Sequence, residues 1–308
     1  VVTCRIALAV NPTAGRGRAA WIGRVVAAKL ARHGVEVVPV PGEEPVEVER
    51  QARRLLAEET DTLVVVGGDG MVHLGTNVVA GTPGRLGIVA AGTGNDIARG
   101  LGLAVGNPAA AVAELVTALS TRNVRLLDAV RCTGTAGTGP DDGERWFAGV
   151  LGAGFDALVN ERANGWRWPR GHLRYDLAIL RELPVLRPRP YTIDLDGEPW
   201  TTRAVLVAIG NGTSYGGGMR VCPDARPDDG LLDVLVVLPV SRTTFVRIYP
   251  RVYRGTHVSD PHVVVRRARR VRVASDGIVG YADGERLGPL PLTCEVVPRA
   301  LRVLGPPR

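Results

Sequence analysis

Leu63-Val64-Val65-Val66-Gly67-Gly68-Asp69-Gly70 is the stretch on which the reading of this chain turns. Four apolar residues make a buried strand, and three glycines with one carboxylate close it. Glycine permits positive φ and lets other atoms approach the backbone, so the amides of such a loop form a nest for anionic oxygen. A lone carboxylate would repel a bare phosphate and makes best sense beside a cation such as Mg²⁺. The stretch reads as a nucleotide site at a strand end.

The pattern around it alternates strand and helix. Arg5 to Val10 reads as a strand, about Arg18 to His33 as an Ala-rich helix, and Glu36 to Val40 as a second strand. A helix near Val46 to Glu58 carries acids early and Arg53 and Arg54 later, as the helix dipole prefers. Leu86 to Val89 is a fourth strand, and Asn107-Pro108 opens a further helix with an N-cap residue and a first-turn proline. Such alternation predicts a parallel sheet covered on both faces, with ligands beyond the carboxyl ends of the strands. The glycine-rich segments all follow strands and should converge on one edge.

From Val124 strand-like runs dominate: Val124 to Val130, Trp146 to Leu151, Thr202 to Ile209, Leu232 to Leu238, Val263 to Val265 and Arg270 to Ala274. Turn residues separate them, which predicts an antiparallel sandwich or barrel. Thr133 to Glu144 is a low-complexity Gly/Thr loop of no chemical interest. With 308 residues, two domains are expected, 1–123 (α/β) and 124–308 (β-rich).

Composition bounds the function. A hydrophobic content of 45% supports full folding, and no run approaches the roughly 18 apolar residues that cross a bilayer. Val1 to Arg5 does not read as a signal peptide, although the natural start need not be Val1. Cys4, Cys132, Cys222 and Cys294 lack zinc spacing and suit buried packing in a reducing cytoplasm. The net charge of +7 fits nucleic acid, anionic membrane or polyphosphate alike. Its densest run, Arg266 to Arg272, is flanked by valines, and the alternation through Arg270, Arg272 and the intervening valines reads as a strand with one wet face. Nucleic-acid binding would rest on charge alone, without a stacking motif, and is not expected.

Two more loops carry chemistry. Asn11-Pro12-Thr13-Ala14-Gly15-Arg16-Gly17-Arg18 closes the first strand. Its Gly15-x-Gly17-x-x-Ala20 matches a relaxed dinucleotide fingerprint, but Val40-Pro41-Gly42 stands where that fingerprint needs an acid. The arginines and the helix start could still meet a phosphate. Ala91-Gly92-Thr93-Gly94-Asn95-Asp96 follows the fourth strand. Thr93 and Asn95 can donate to phosphate or ribose oxygens, and Asp96 can cap a helix; alone, this is equally a capping turn.

Together, Asn11-Pro12 with Gly15, Gly67 to Gly70, and Gly92 to Asp96 resemble the catalytic domain of diacylglycerol and sphingosine lipid kinases. The likeness continues through Gly152-x-Gly154-Phe155-Asp156-Ala157, Gly210-Asn211-Gly212, Gly216 to Gly218, Pro223-Asp224-Ala225 and Asp228 to Asp233. It implies an α/β nucleotide-binding domain related to phosphofructokinases and NAD kinases, a β-rich lipid-side domain, and an active site between them. The C-terminal tail is allowed to return to the first domain. ATP would be bound by Asn11, Pro12, Thr13, Ala14 and Gly15, by Gly67, Gly68, Asp69, Gly70, Met71, Val72 and His73, and by Thr93, Asn95 and Asp96. A structural Mg²⁺ would be held by the carbonyls of Arg226 and Leu231 and the carboxylate of Asp229; the plain alternative is a turn. Many members have Thr where this chain has Met71, which leaves the lipid open. His73 reads as a capping or packing residue.

The resemblance also implies a general base in a late Asp-Gly-Glu. Asp142 to Glu144, Asp196 to Glu198 and Asp283 to Glu285 all qualify by residue type, since Asp-Gly is also the commonest hairpin signal. Only the third occupies the family's place, giving Glu285 as base and Asp283 in support, with Asp69 as the alternative base. The implied reaction is ATP-dependent phosphorylation of the primary hydroxyl of a membrane lipid, diacylglycerol first. An NAD kinase-like enzyme and a non-catalytic lipid-binding protein are the rival readings. Trp166-Arg167-Trp168-Pro169-Arg170, with His172, Arg174 and Tyr175, mixes aromatics and cations as an anionic membrane surface would require, or else packs on the sandwich. A cytoplasmic, peripherally membrane-associated protein is expected. A homodimer is compatible with this reading, and regulation is not legible.

Overall fold

The computed structural model describes residues 4–11, 14, 18–134, 143–166 and 172–306. The chain forms two compact units, Val1–Ala129 with Val297–Arg308, and Val130–Val296. The division falls within strands rather than at 123/124, and the C-terminal residues belong to the first unit.

In the first unit β1 (Arg5–Val10), α1 (Arg18–Arg32), β2 (Glu36–Pro39), α2 (Pro45–Glu58), β3 (Thr62–Gly67), α3 (Asp69–Val79), β4 (Arg85–Ala90), α4 (Asp96–Gly100) and α5 (Pro108–Thr121) follow in order. The strands lie β2-β1-β3-β4, every pair parallel. β3 is buried at every position, as a strand with covered faces must be, which is why it reads as an unbroken apolar run. On one face Ile6, Leu8, Val64, Val66 and Val89 pack with Ile22, Val26 and Leu30 of α1 and Val112 and Leu115 of α5. Asn107 caps α5, its Oδ1 accepting from the Ala110 amide at 3.1 Å.

The second unit holds most of β5 (Val124–Thr133), then β6 (Glu144–Phe147), β7 (Val150–Gly154), α6 (Phe155–Gly165), α7 (His172–Glu182), β8 (Arg189–Leu195), β9 (Glu198–Ala204), β10 (Leu206–Gly210), β11 (Leu232–Val237), α8 (Arg242–Val252), β12 (Val263–Ala268), β13 (Arg270–Ala274), β14 (Val279–Ala282), β15 (Glu285–Pro289) and the start of β16 (Leu292–Leu304). One antiparallel sheet runs β12-β11-β10-β7-β14-β15; the other runs β16-β13-β8-β9, with β5 and β6 alongside. Residues such as Leu151, Val207, Ile209, Val234, Tyr191, Ile193, Val271 and Val273 fill the space between them. In the first unit, Arg302 and Val303 at the far end of β16 pair in parallel with Arg85 and Leu86 of β4.

Two apolar runs that read as single strands are each two: Trp146–Leu151 breaks at Ala148-Gly149 and Thr202–Ile209 at Val205. At both breaks, and at Arg269 between β12 and β13, the chain passes from one sheet to the other. This is how orthogonal sandwiches turn corners. Amides released at a corner need acceptors. Asp196 takes those of Arg269 and Arg270, at 3.0 and 2.7 Å. Asp283 takes those of Ala148 and Gly149, at 3.2 and 3.0 Å.

A third layer also departs from the expectation of a bare sandwich or barrel. α6, α7 and α8 cover the outer face of the first of these sheets, where Phe155, Val159, Ile179, Phe245 and Ile248 pack on Val205, Ala208, Leu235 and Val237. β11 is therefore buried at all positions, Val234 and Val236 facing one cluster and Leu235 and Val237 the other. The wet face survives in β13, where Arg270 and Arg272 are exposed and Val271 and Val273 buried. Three cysteines are buried and all four are free. Isolated in sequence, Cys132 and Cys294 are neighbours in space, Sγ to Sγ 3.9 Å.

Candidate active site

In the first unit the loops after β1, β3 and β4 leave the same edge of a parallel sheet, so the chain order alone gathers them. The Asn11 amide donates to Val66 O at 3.1 Å and the Ala91 amide to Gly67 O at 2.8 Å, so the ladder runs to the very start of each loop. A Cβ on Gly92 would stand 2.4 Å from Gly68 Cα. What lies against Gly68 is thus a second backbone, and both glycines are needed to let the loops abut. The sequence had suggested a ligand there.

Asp69 opens α3, and its Oδ1 accepts from the Ile97 amide at 3.1 Å. It therefore caps the short helix α4 from a neighbouring loop. Its Oδ2 passes so close to Gly94 that a Cβ there would stand 2.8 Å away. Asn95, in the left-handed region at φ 56°, turns its amide back on its own loop: Oδ1 accepts from Gly92 N at 3.0 Å and Nδ2 donates to Gly92 O at 2.9 Å. Asp96 is buried and pairs with Arg99 at 2.8 Å, while Arg99 also donates to Gly94 O at 2.9 Å. Asn95 and Asp96 thus shape the loop, and Thr93 is left exposed at its tip. Met71, Val72 and His73 are buried in α3, where the first two give their amides to Gly68 O. His73 packs, as its sequence context suggested. Ala14 donates its amide to Asn11 O at 3.2 Å; Pro12, Thr13 and Gly15 lie outside the described residues.

In the second unit Asp283 and Gly284 form a two-residue hairpin between β14 and β15, with φ of 54° and 89°. Asp196 and Gly197 form the same turn between β8 and β9, φ 55° and 94°. Both aspartates serve as corner caps, so Asp283 is engaged in holding the Ala148-Gly149 bend. Asn211 shares that task, donating from Nδ2 to Ala148 O at 2.9 Å. Glu285, first in β15, is exposed beside this fixed turn. Asp142 lies outside the described residues.

The helical layer encloses what the sequence did not announce. A partly open pocket, whose space of about 690 Å³ takes in the solvent at its mouth, lies among α6, α7, α8 and β10–β11, walled by Phe155, Ile179, Leu235, Phe245 and Ile248. Its few polar groups include Asp156, Asn160, Tyr215 and His257. The Tyr215 hydroxyl donates to Asp156 Oδ2 at 3.0 Å, while Oδ1 is buried without a hydrogen-bond partner of good geometry. Burial pushes the Asp156 carboxyl up to about 6, against the pull of the Tyr215 hydroxyl and nearby amides. Burial likewise raises Tyr215 and lowers His257, whose Nε2 lies 3.0 Å from Val221 O. The signal was present in Gly152-x-Gly154-Phe155-Asp156. A Cβ on Gly152 would fall 1.6 Å from Asp156 Oδ2, and Gly154 has φ 125° with Tyr191 Oη and Val205 O where a Cβ would point. Trp166 is partly buried against the same helical layer; Arg167, Trp168, Pro169 and Arg170 lie outside the described residues.

Of the proposed Mg²⁺ ligands, the Asp229 carboxylate is engaged within the protein. Asp229 Oδ1 accepts from the Leu231 amide at 3.1 Å, and Oδ2 pairs with the Arg267 guanidinium. The same guanidinium binds buried Asp233 at 2.9 Å. Among the described residues no group of three or more His, Cys, Asp or Glu side chains could hold a metal. Burial raises the Asp233 carboxyl, and Arg267 pulls it part of the way back. Arg267→Leu, which leaves a buried carboxylate unpaired, should lower stability by about 2 kcal/mol, discounted for the half-exposed arginine. EDTA should leave the wild-type melting temperature unchanged; a clear fall would show that a metal neutralises this turn.

With this geometry in view, known proteins are informative. The model of the diacylglycerol kinase catalytic domain matches residues 5–129, and that of the YegS C-terminal NAD kinase beta sandwich-like domain matches 149–305. The chain is 41% identical over 305 residues to a diacylglycerol kinase of Mycobacterium tuberculosis, covering 98% of this chain and 95% of the relative. A diacylglycerol kinase of Bacillus subtilis is 28% identical over 78% of this chain and 76% of its own. Among solved structures, a diacylglycerol kinase from Bacillus anthracis superposes with a TM-score of 0.70 at 21% identity, covering 100% of this chain and 98% of that one. Yeast NADH kinase shares the fold at a TM-score of 0.57 and 13% identity, covering 99% and 84%. The chain belongs to the diacylglycerol kinase-like family of lipid kinases.

Proposed function

We propose that this protein transfers the γ-phosphoryl group of ATP to the primary hydroxyl of diacylglycerol, giving phosphatidic acid and ADP. The observation that carries the acceptor class is the second unit's cavity, an apolar space whose one carboxylate keeps an oxygen without a good partner. Each methylene buried there is worth about 0.8 kcal/mol, so an acyl chain gains several kcal/mol from walls that would strand a dinucleotide's phosphates. That disfavours an NAD kinase-like activity, which the yeast likeness would otherwise invite.

On the nucleotide side, the amides at the start of α3 and the exposed Thr93 are suited to phosphate oxygens. A divalent cation carried with the triphosphate would supply charge neutralisation, and Asp69 is the carboxylate suited to hold it. The lipid hydroxyl loses its proton to a carboxylate, Glu285 or alternatively Asp69. Its oxygen forms the new bond to phosphorus as the bond to the ADP oxygen breaks.

The deciding experiment is labelled ATP offered with a panel of diacylglycerol, a sphingoid base, other lipid alcohols and NAD. Label in phosphatidic acid is the expected result; label in NADP alone, or ATP binding without transfer, would sink the proposal. Glu285→Gln should fold normally and lose about 100-fold or more in kcat. Wild-type turnover in that variant would pass the role of base to Asp69.

Among the described residues no helix is long and apolar enough to cross a membrane, and the substrate would be met at a bilayer surface.

A further inference from the structure

We propose that Cys132 and Cys294 are a redox pair, two thiols that a peroxide closes reversibly into a disulfide joining β5 to β16. Their Sγ atoms already lie 3.9 Å apart, with the Cys294 thiol donating to Cys132. β5 and β16 are neighbours in one sheet, and three contacts fix how they run. Asp128 takes the Arg299 amide at 2.9 Å, Arg131 pairs with Glu295 at 3.1 Å, and Cys132 meets Cys294. Partner numbers fall along β16 as they rise along β5, so the strands are antiparallel and the two cysteines stand opposite each other. Residues so placed have Cβ atoms about 4.5–5.5 Å apart, and a disulfide needs about 3.5–4.5 Å. A small closing of the strands and a turn of each χ1 suffice to form the bond. A single buried cysteine is ordinary core packing, and Cys222, buried in the other cluster, serves that purpose. Opposed thiols are a different case.

Both thiols are fully buried between the sheets, and the contact with Cys132, together with burial, raises the Cys294 thiol well above its usual range. The closed structure therefore protects them, and oxidation passes through local opening. The sheet edge supplies that opening. β6 is four residues long and pairs with β5 but with no other described strand, and its Arg145 is the partner of Cys132. Fraying of β6 bares Cys132 first. Its sulfur attacks one peroxide oxygen and the O–O bond breaks; Cys132 becomes a sulfenic acid, and its thiol proton leaves with the other oxygen as water. The Cys294 sulfur then attacks the Cys132 sulfur. The S–S bond forms as the S–O bond breaks, and hydroxide leaves as water with the Cys294 proton. Two thiols and one hydrogen peroxide thus give one disulfide and two waters. The linked residues are 162 apart in the chain and bracket nearly all of the second unit, Val130–Val296. The bond closes that unit into one ring and restricts its unfolded chain, as the closure of a long loop does.

The test treats the folded protein with a small excess of hydrogen peroxide, blocks the remaining thiols in denaturant, and maps peptides without reductant by mass spectrometry. A peptide linked through Cys132 and Cys294, two hydrogens lighter than its two halves, is expected, with Cys222 still a thiol. The oxidised protein should melt about 5 °C or more above the reduced one, and dithiothreitol should reverse both changes. Cys132→Ala and Cys294→Ala should each lose the link and the melting shift, while Cys4→Ser keeps both. The wild-type readouts decide the matter even where an alanine variant fails to fold. Thiols that stay unreacted, sulfinic or sulfonic acid at Cys132 or Cys294 without the link, or links between chains alone would overturn the proposal. So would a linked protein that melts at or below the temperature of the reduced one.

Discussion

Asp69→Asn is expected to lower kcat by about 100- to 1000-fold while the protein folds and melts as the wild type does. The two halves of this expectation come from different atoms. An asparagine Oδ1 can still accept from the Ile97 amide, the 3.1 Å bond by which Asp69 caps α4. It also has almost the same shape beside Gly94, where there is no room for more. The fold therefore loses at most about 1 kcal/mol. What disappears is the negative charge, the feature that makes this loop suited to a cation-bound triphosphate. Asp69→Ala would remove cap and charge together and confuse the two. The measurement is kcat and the apparent Mg²⁺ requirement with saturating ATP and lipid, alongside thermal melting. Turnover and Mg²⁺ dependence equal to wild type would show that Asp69 is only a helix cap.

The first unit was legible because its physics is local. The apolar run Leu63 to Val66 is buried on both faces of the sheet, and Asn107-Pro108 announces the α5 terminus directly. The second unit was less so for a stated reason. Sheet-switching at Ala148-Gly149 and Val205 does not interrupt the apolar pattern, so one run hides two strands. The acids that make the switch possible, Asp196 and Asp283, sit far away in sequence and look like simple hairpin tips. α8 had a readable start, since Ser241 Oγ accepts from the Thr244 amide at 3.1 Å. Its arginines and Pro250 masked a helix whose buried side rests on Phe245 and Ile248. At the site, the Gly-Gly-Asp-Gly loop has a further reason for its glycines that no spacing shows, since Gly68 yields space to Gly92. Asp156 was passed over because its environment is built by residues from α8, β10 and β11 that no spacing reveals.

Asp156→Asn should stabilise the protein at pH 8 and cripple lipid phosphorylation in the same variant. The carboxyl is buried, and its pKa rises from 3.8 to about 6. Below pH 4 it is protonated in both folded and unfolded chains and favours neither. Between about 4 and 6 the folded chain holds a proton that the unfolded chain has released, so rising pH lowers stability across this window. Above pH 6 the full penalty remains, about 2–3 kcal/mol for a shift of this size. An asparagine carries no charge to desolvate, and its Oδ1 can still accept from the Tyr215 hydroxyl. The melting-temperature gain over wild type should therefore be largest at pH 8 and vanish near pH 4. The lost oxygen is the buried one without a good partner; if, as proposed, it receives the acceptor's hydroxyl, KM for diacylglycerol should rise about tenfold or more, as when a hydrogen bond to a charged group is removed. KM for ATP should stay unchanged. A stabilised variant with wild-type lipid kinetics would leave Asp156 as a strained structural carboxylate and move the acceptor's recognition elsewhere. A variant destabilised at every pH would mean that the ionised carboxylate has a partner holding it in place.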